Sequence, residues 1–288
     1  LFAGVSGSAA ADTAAVGSML IPSMLKNGYP RGLAAVIQAC AGSLGPIIPP
    51  SLTMIIYCSL TGLSIGECFM AGVIPGLIIG LGVAVVTYFY ARRLGIKGDE
   101  RVPYRERLTA IKDGILAIIM PLIIIGGIVS GIFTPTESGA IAVIYALVIG
   151  MFVYKEFTYR ELPRIFLKAA SMTGMALLIV AGASIFSWLV AYEKFPKMII
   201  TFLTGLTDNK YVIMMLLVLF LLFVGMFIET LSATIICAPI LMPVAAQYGI
   251  DPIQFALIMV ITLVYAGVTP PVGGVLFITM GIAKAKMK

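Results

Sequence analysis

Four stretches of the chain, Phe69–Tyr90, Gly114–Phe133, Ala140–Tyr154 and Tyr211–Ile228, contain no charged residue. Several reach the roughly 20 apolar residues that a helix needs to cross a bilayer core. A segment there must bond its own backbone groups, so helices are the expected element. The whole chain follows suit: 60% of its 288 residues are hydrophobic and 11% charged, against about 45–50% apolar and about 25% charged in soluble domains. A water-soluble globular enzyme is excluded. The chain has no histidine, which removes the commonest general base and the commonest zinc ligand. Its chemistry has to use hydroxyls, carboxylates, carbonyls and helix ends. Cys40, Cys58, Cys68 and Cys237 form no C-x-x-C pair and read as small hydrophobes. The chain opens at Leu1 in a Gly/Ser/Ala-rich segment without a signal-peptide pattern, so it is expected to be a piece of a longer polytopic protein.

The net charge of +6 acquires meaning from where the cations lie. Sixteen of the 19 Lys and Arg residues fall in four places: Lys26 and Arg31, the stretch from Arg92 to Lys112, the stretch from Lys155 to Lys168, and Lys284 to Lys288. If these are cytoplasmic, residues 31–63 run outward, 70–90 return, 113–132 run outward, 134–154 return and 169–191 run outward again. Only Lys194, Lys197 and Lys210 then remain outside. This is the positive-inside asymmetry of a polytopic membrane protein, and it makes nucleic-acid binding unnecessary as an explanation of the charge.

A self-match at an offset of 221 residues organises the ends of the chain. Pro22 pairs with Pro243, Gly28 with Gly249, Thr13 with Thr234, Gly4 with Gly225, and Pro49–Pro50 with Pro270–Pro271. Each copy carries a glycine-bearing turn, an apolar helix with a proline, a second turn, and a long apolar stretch interrupted by Gly and Pro. Proline removes a backbone donor and clashes with the preceding turn, so these stretches are broken helices. Five crossings separate the two hairpin-like segments, which inverts the second copy relative to the first. Matched interrupted helices in inverted repeats point to a secondary transporter with its site at the breaks.

Unwound turns offer carbonyls and hydroxyls to a hard cation, and half-helix N-termini face anions. The first copy supplies Ser6, Gly7 and Ser8 at the hairpin and Ser43 and Gly45 at the break; the second supplies Gly225, Glu229 and Thr230, then Gly267 and Thr269. An anionic substrate is expected between them, near Ser51, Thr53, Gly273 and Gly274, with Asp12 close by. Asp12 either caps a hairpin helix or serves transport, because intramembrane acids are expensive. Glu137, in Thr-Pro-Thr-Glu, reads as a helix-capping acid. Trp188 and Tyr192 read as an interfacial belt.

The segments SGSAAADTAAVGSMLIPSMLKNGYPRGLAA, LGPIIPPSLTMIIY, TPTESGA, PILMPVAAQYGIDPIQFALIMV and GVTPPVGGVLF resemble the large membrane subunit of tripartite ATP-independent periplasmic transporters, over essentially the whole chain. The resemblance implies a sodium-driven importer of elevator type with two re-entrant hairpins. It also implies a periplasmic substrate-binding protein and a small four-helix membrane subunit, fused or separate. Its substrates are organic acids: C4-dicarboxylates, sialic and other sugar acids, and keto acids. The family's cation-binding regions fall on Ser6–Ser8 with Ser43–Pro46 and on Gly225–Thr230 with Ala266–Thr269. Ala266 and Val275 depart from the Gly and the polar residue expected there. The resemblance also implies scaffold helices and a first hairpin arm that this sequence lacks, and a last span cut short at Lys288.

The expectation is an all-α polytopic membrane protein with inverted repeats, re-entrant hairpins and broken transmembrane helices. Residues 1–69 form the first-repeat transport region and 210–288 the second. Residues 70–209 connect them through scaffold helices with cytoplasmic loops at 92–112 and 155–168. The expected activity is Na⁺-coupled uptake of an organic acid, with Na⁺ the only ion implied and no cofactor. A binding-protein-independent symporter or an ion antiporter of similar fold is the rival within the class. An intramembrane enzyme is the rival outside it, and it lacks a nucleophile and base within mutual reach.

Overall fold

The computed structural model describes residues 7–96, 103–205 and 207–285, and among them every regular element is helical. In chain order these are α1 (Ala9–Lys26), α2 (Arg31–Gly42), α3 (Leu52–Thr61), α4 (Ile65–Arg93), α5 (Tyr104–Val129) and α6 (Pro135–Val148). They continue as α7 (Leu162–Tyr192), α8 (Phe195–Thr204), α9 (Lys210–Phe227), α10 (Thr230–Gln247), α11 (Pro252–Ala266) and α12 (Gly274–Ala283). Among the described residues five helical stretches are long and apolar enough to cross a membrane, including Ile65–Arg93, Pro135–Val153 and Lys210–Phe227. The chain is an all-α polytopic membrane protein. It divides into a larger unit, Leu1–Arg101 with Lys194–Lys288, and a smaller one, Val102–Glu193.

The larger unit carries the repeat. Both bounds of α1 recur 221 residues later as those of α10, and α2 and α11 begin at the same offset. Gly28 and Gly249, at φ 87° and 67°, turn the chain after α1 and α10, a left-handed conformation that glycine adopts at little cost. Both proline pairs are joined by cis peptide bonds. The helices after the breaks, α3 and α12, have 10 residues each, about 15 Å of helix, half the thickness of a bilayer core.

These half-helices exchange partners. α12 packs on α1 and α2, while α3 packs on α10 and α11. Each repeat therefore completes the other, the pattern a two-fold relation between them requires. Tyr57 and Met54 of α3, Ile235 of α10, and Phe255 and Leu263 of α11 are fully buried.

α4 packs on α2, α3 and α11, although the sequence alone placed residues from 70 onward in a connecting region. The reason is a stripe of small residues. Gly72, Gly76 and Gly80 recur every four residues and share a helix face. A Cβ at Gly72 would stand 2.7 Å from the carbonyl oxygen of Ile47, and one at Gly76 2.5 Å from Cγ1 of Ile48. The stripe lets the interrupted backbone at 44–48 approach α4 closely, as small residues do between membrane helices. The other side of α4, with Ile74 68% and Leu81 66% exposed, is apolar surface of the kind that faces lipid.

In the smaller unit α5 packs on α6, and the Tyr145 hydroxyl donates to the Leu116 carbonyl at 2.8 Å. Thr134 and Glu137 form a capping box at the start of α6: the Glu137 carboxylate accepts from the Thr134 amide at 2.8 Å, and the Thr134 hydroxyl accepts from the Glu137 amide at 3.3 Å. The capping role expected of Glu137 is the one it has. α5 starts at Tyr104 and α7 at Leu162, so helix continues into both stretches expected to be loops. Arg, Lys and Glu are good helix formers and extend these helices past their apolar parts.

Replacing Gly72 with Ala is expected to destabilise the protein by about 1–3 kcal/mol, the cost of overpacking a well-filled site, because the facing atom is backbone. Replacing Gly82, which has nothing within 4 Å, with Ala is expected to be neutral or stabilising by up to about 1 kcal/mol through helix propensity. Thermal unfolding of both variants in detergent checks this; equal effects would contradict the packing described for the stripe.

Candidate functional site

Four helices begin around one point, and the sequence supplies each with its start. Ser8 caps α1, its hydroxyl accepting from the Ala11 amide at 3.5 Å. Glu229 caps α10, with one carboxylate oxygen accepting from the amides of Leu231 at 2.9 Å and Ser232 at 3.2 Å. Ser51 caps α3, accepting from the Met54 amide at 3.1 Å, and Gly273, at φ 54°, leads into α12. Ser8 and Glu229 are 221 residues apart, so the same capping position is filled once by a hydroxyl and once by a charge.

The hairpin tips sit on the breaks of their own repeats. Gly7, at φ 65°, lies so close to the first break that a Cβ would stand 2.6 Å from the Pro50 carbonyl oxygen. In the second repeat the Gly273 amide donates to the Met226 carbonyl at 3.3 Å. The breaks are also closed in parallel ways. The Val275 amide donates directly to the Gly267 carbonyl at 3.1 Å. At the matching positions, the Ser51 hydroxyl stands between Met54 and Pro46, accepting from the Met54 amide and donating to the Pro46 carbonyl. A serine side chain thus replaces a backbone bond, satisfying groups that would be costly to leave unpaired.

A cavity of about 260 Å³ lies where these elements meet. Residues from the first turns of all four helices line it: Ala9 and Ala10, Leu52 and Thr53, Thr230 and Leu231, Gly274 and Val275. Pro46 and Gly267 bring in the two breaks, and among the described residues Glu229 is the one ionisable side chain in the wall. Each helix N-terminus carries unsatisfied amides and about half a positive charge. Their convergence makes the cavity attractive to an anion although no Lys or Arg among the described residues lines it. Among the described residues no group of three or more Cys, Asp or Glu side chains gathers to hold a metal. The oxygens at the cavity are hydroxyls, carbonyls and one carboxylate, a set suited to a hard cation.

The sequence-based candidates divide accordingly. Gly7, Ser8, Gly225, Glu229, Thr230 and Gly267 of the cation set, and Thr53 and Gly274 of the substrate set, line this one cavity. The others stand back from it. Ser51 and Gly273 cap helices behind the wall. The Ser43 hydroxyl donates to the Ala39 carbonyl at 2.8 Å and that of Thr269 to the Tyr265 carbonyl at 3.0 Å. Gly45 lies in the turn of the first break, its amide donating to the Gly42 carbonyl at 3.2 Å. Asp12, 5% exposed, is buried in the first turn of α1, which Ser8 rather than Asp12 caps. Ser6 lies outside the described residues. The apolar wall, Met226, Ile228, Val272 and Ile278, was missed. Its signal was available for Ile278, which follows Gly274 by four residues and so shares its helix face.

The family model described as tripartite ATP-independent periplasmic transporter, DctM component, matches residues 1–288. The chain is 39% identical over 282 residues to the C4-dicarboxylate TRAP transporter large permease protein of Pseudomonas aeruginosa, covering 98% of this chain and 66% of that protein. It is 37% identical over 278 residues to the sialic acid TRAP transporter large permease protein of Vibrio cholerae, covering 96% and 65%. It is 38% identical over 288 residues to the isethionate TRAP transporter permease protein DctMQ of Oleidesulfovibrio alaskensis, covering 100% and 45%. The chain spans about two thirds or less of the length of these relatives.

Glu229→Ala is expected to cost about 1 kcal/mol, the usual loss on removing a helix cap. Glu229→Gln, which retains an acceptor oxygen, is expected to lose less than half as much. Thermal unfolding of the two variants measures this, and equal losses would show that charge rather than capping is what Glu229 contributes to stability.

Proposed function

Because the chain belongs to the family of tripartite ATP-independent periplasmic transporters, DctM component, we propose that the permease it forms part of imports an organic acid across the bacterial inner membrane, driven by Na⁺. The observation that carries this reading is the convergence of four helix N-termini on one cavity. First-turn amides not used by the caps are free to donate to a carboxylate. The relatives' names speak of C4-dicarboxylate, sialic acid and isethionate, all of them anions at neutral pH.

Coupling follows from the same geometry. An anion moved from water into a membrane protein without a counter-charge is strongly disfavoured, and helix ends supply only partial charges. A Na⁺ bound through hydroxyls such as Ser8 and Thr230 and the carbonyls of the breaks supplies the rest. The Pro46 and Gly267 carbonyls each accept one hydrogen bond and keep a second lone pair for a cation. Anion and cation then stabilise each other, so the loaded pocket forms only when both are present. Once loaded, the interlocked larger unit travels as one body, which is the elevator motion the family resemblance implies. Delivery by a periplasmic binding protein and assembly with a small membrane subunit, fused or separate, complete the proposal.

Uptake in liposomes holding the full permease, its small subunit and its binding protein is expected to require an inward Na⁺ gradient and to cease when K⁺ replaces Na⁺. Ser8→Ala is expected to raise the Na⁺ concentration for half-maximal uptake several-fold. Uptake indifferent to the exchange of Na⁺ for K⁺ contradicts the coupling.

A further inference from the structure

A tight turn joins α3 to α4, and each helix brings a cysteine to it: Cys58 in the last turn of α3 and Cys68 in the first turn of α4. Gly62, at φ 73°, ends α3, and the Ser64 hydroxyl caps α4. Both cysteines meet at one carbonyl. The Ser64 oxygen accepts from the Cys58 thiol at 3.9 Å and from the Cys68 amide at 3.1 Å, and the two thiols are hydrogen-bonded to each other. Both are free thiols, and neither residue is more than 1% exposed.

The side of the membrane follows from α4. Arg92 and Arg93 close this helix and belong to the basic stretch that the positive-inside asymmetry assigns to the cytoplasm. From Cys68 to Arg92 an α-helix rises about 36 Å at about 1.5 Å per residue, more than the roughly 30 Å of a bilayer hydrocarbon core. The turn with its two thiols therefore lies at the periplasmic end, in an oxidising compartment.

We propose that Cys58 and Cys68 are a disulfide site, joined in the cell by a periplasmic thiol oxidase, and that the bond staples the half-helix α3 to α4. The oxidant is the oxidase's own disulfide. One thiolate of the pair attacks it to give a mixed disulfide, and the second thiolate then displaces the oxidase sulfur as the S–S bond forms. Two protons leave the pair, and its two electrons end on the oxidase, now a dithiol. Burial sets the order of events: exchange takes place as the turn reaches the periplasm, before α3 and α4 close over the sulfurs. The staple acts on the cavity from behind. Leu52 and Thr53, in the first turn of α3, line it, and α3 has only 10 residues against the 29 of α4. Tying its far end to the longer helix fixes the height of that first turn and removes open conformations from the unfolded chain. The proposal does not depend on what the cavity binds.

In the test, cells producing the full-length permease are quenched in acid, and the protein is denatured and labelled with a maleimide polymer that retards it on a gel once per free thiol. Wild type treated with a reductant is expected to carry at least two more labels than unreduced wild type; no gain overturns the proposal. In unreduced Cys58→Ser and Cys68→Ser the count is expected to rise by one over unreduced wild type, because each substitution removes one cysteine and frees its partner. A count that falls by one or stays level in either variant overturns the pairing. Labelling follows denaturation, so a variant that folds poorly is still read. In a host lacking the oxidase, unreduced wild type is expected to gain two labels, and a count equal to that in the normal host overturns the periplasmic route.

Discussion

A helix broken inside a membrane leaves amides and carbonyls that lipid cannot satisfy, and the larger unit is arranged around meeting that demand. The break after α2 is laid onto the glycine stripe of α4 and closed by the Ser51 hydroxyl; the break after α11 is closed by the amide of Val275. Each hairpin tip covers the break of its own repeat, and each half-helix packs on the opposite repeat. Irregular backbone is permitted at this depth only where protein buries it or a cavity needs it. Here both conditions hold at once, and the cavity is what remains where the covered breaks face one another.

Much of this was legible because the repeat is written in residues that control backbone geometry. Pro49–Pro50 and Pro270–Pro271 marked the breaks, and Gly28 and Gly249 the turns. The bounds of α1 and α10 agree with the 221-residue offset. What the repeat could not convey was partner choice. That α12 lies on α1 and α2 is a long-range fact with no local signature, and α4 looked like a connector because its glycines acquire meaning only opposite residues 44–48. Among the site candidates, Ser43 and Thr269 lie outside the described lining of the cavity and bond locally, each hydroxyl oxygen keeping lone pairs for a further partner. A serine or threonine at a helix end has a carbonyl four residues back as a ready acceptor, and both take that local bond. Ser51, expected near the substrate, directly precedes Leu52 and Thr53 of the cavity wall and uses its hydroxyl to close the break.

Two acids of one chemistry show how position decides role. Glu137 closes a capping box at the start of α6, where Thr134 answers it and helix formation accounts for it fully. Glu229 also caps a helix, yet it lies in the wall of the cavity with three other helix starts around it. Drawing an anion with helix ends rather than with arginine has a physical advantage in a membrane. A buried guanidinium would be strongly destabilising whenever the pocket stood empty, whereas partial charges on amides need no permanent counter-ion.

The central claim, that one cavity at four helix N-termini receives the carboxylate, is tested most directly by a cryo-EM map of the full permease in NaCl with a bound organic acid. The account predicts ligand density between the Ser8 and Glu229 hairpin tips, with its carboxylate within hydrogen-bonding distance of first-turn amides of α1 or α10. Density for the acid elsewhere, such as at the basic end formed by Arg31 and Lys284, whose side chain and carbonyl are joined at 3.3 Å, would contradict it.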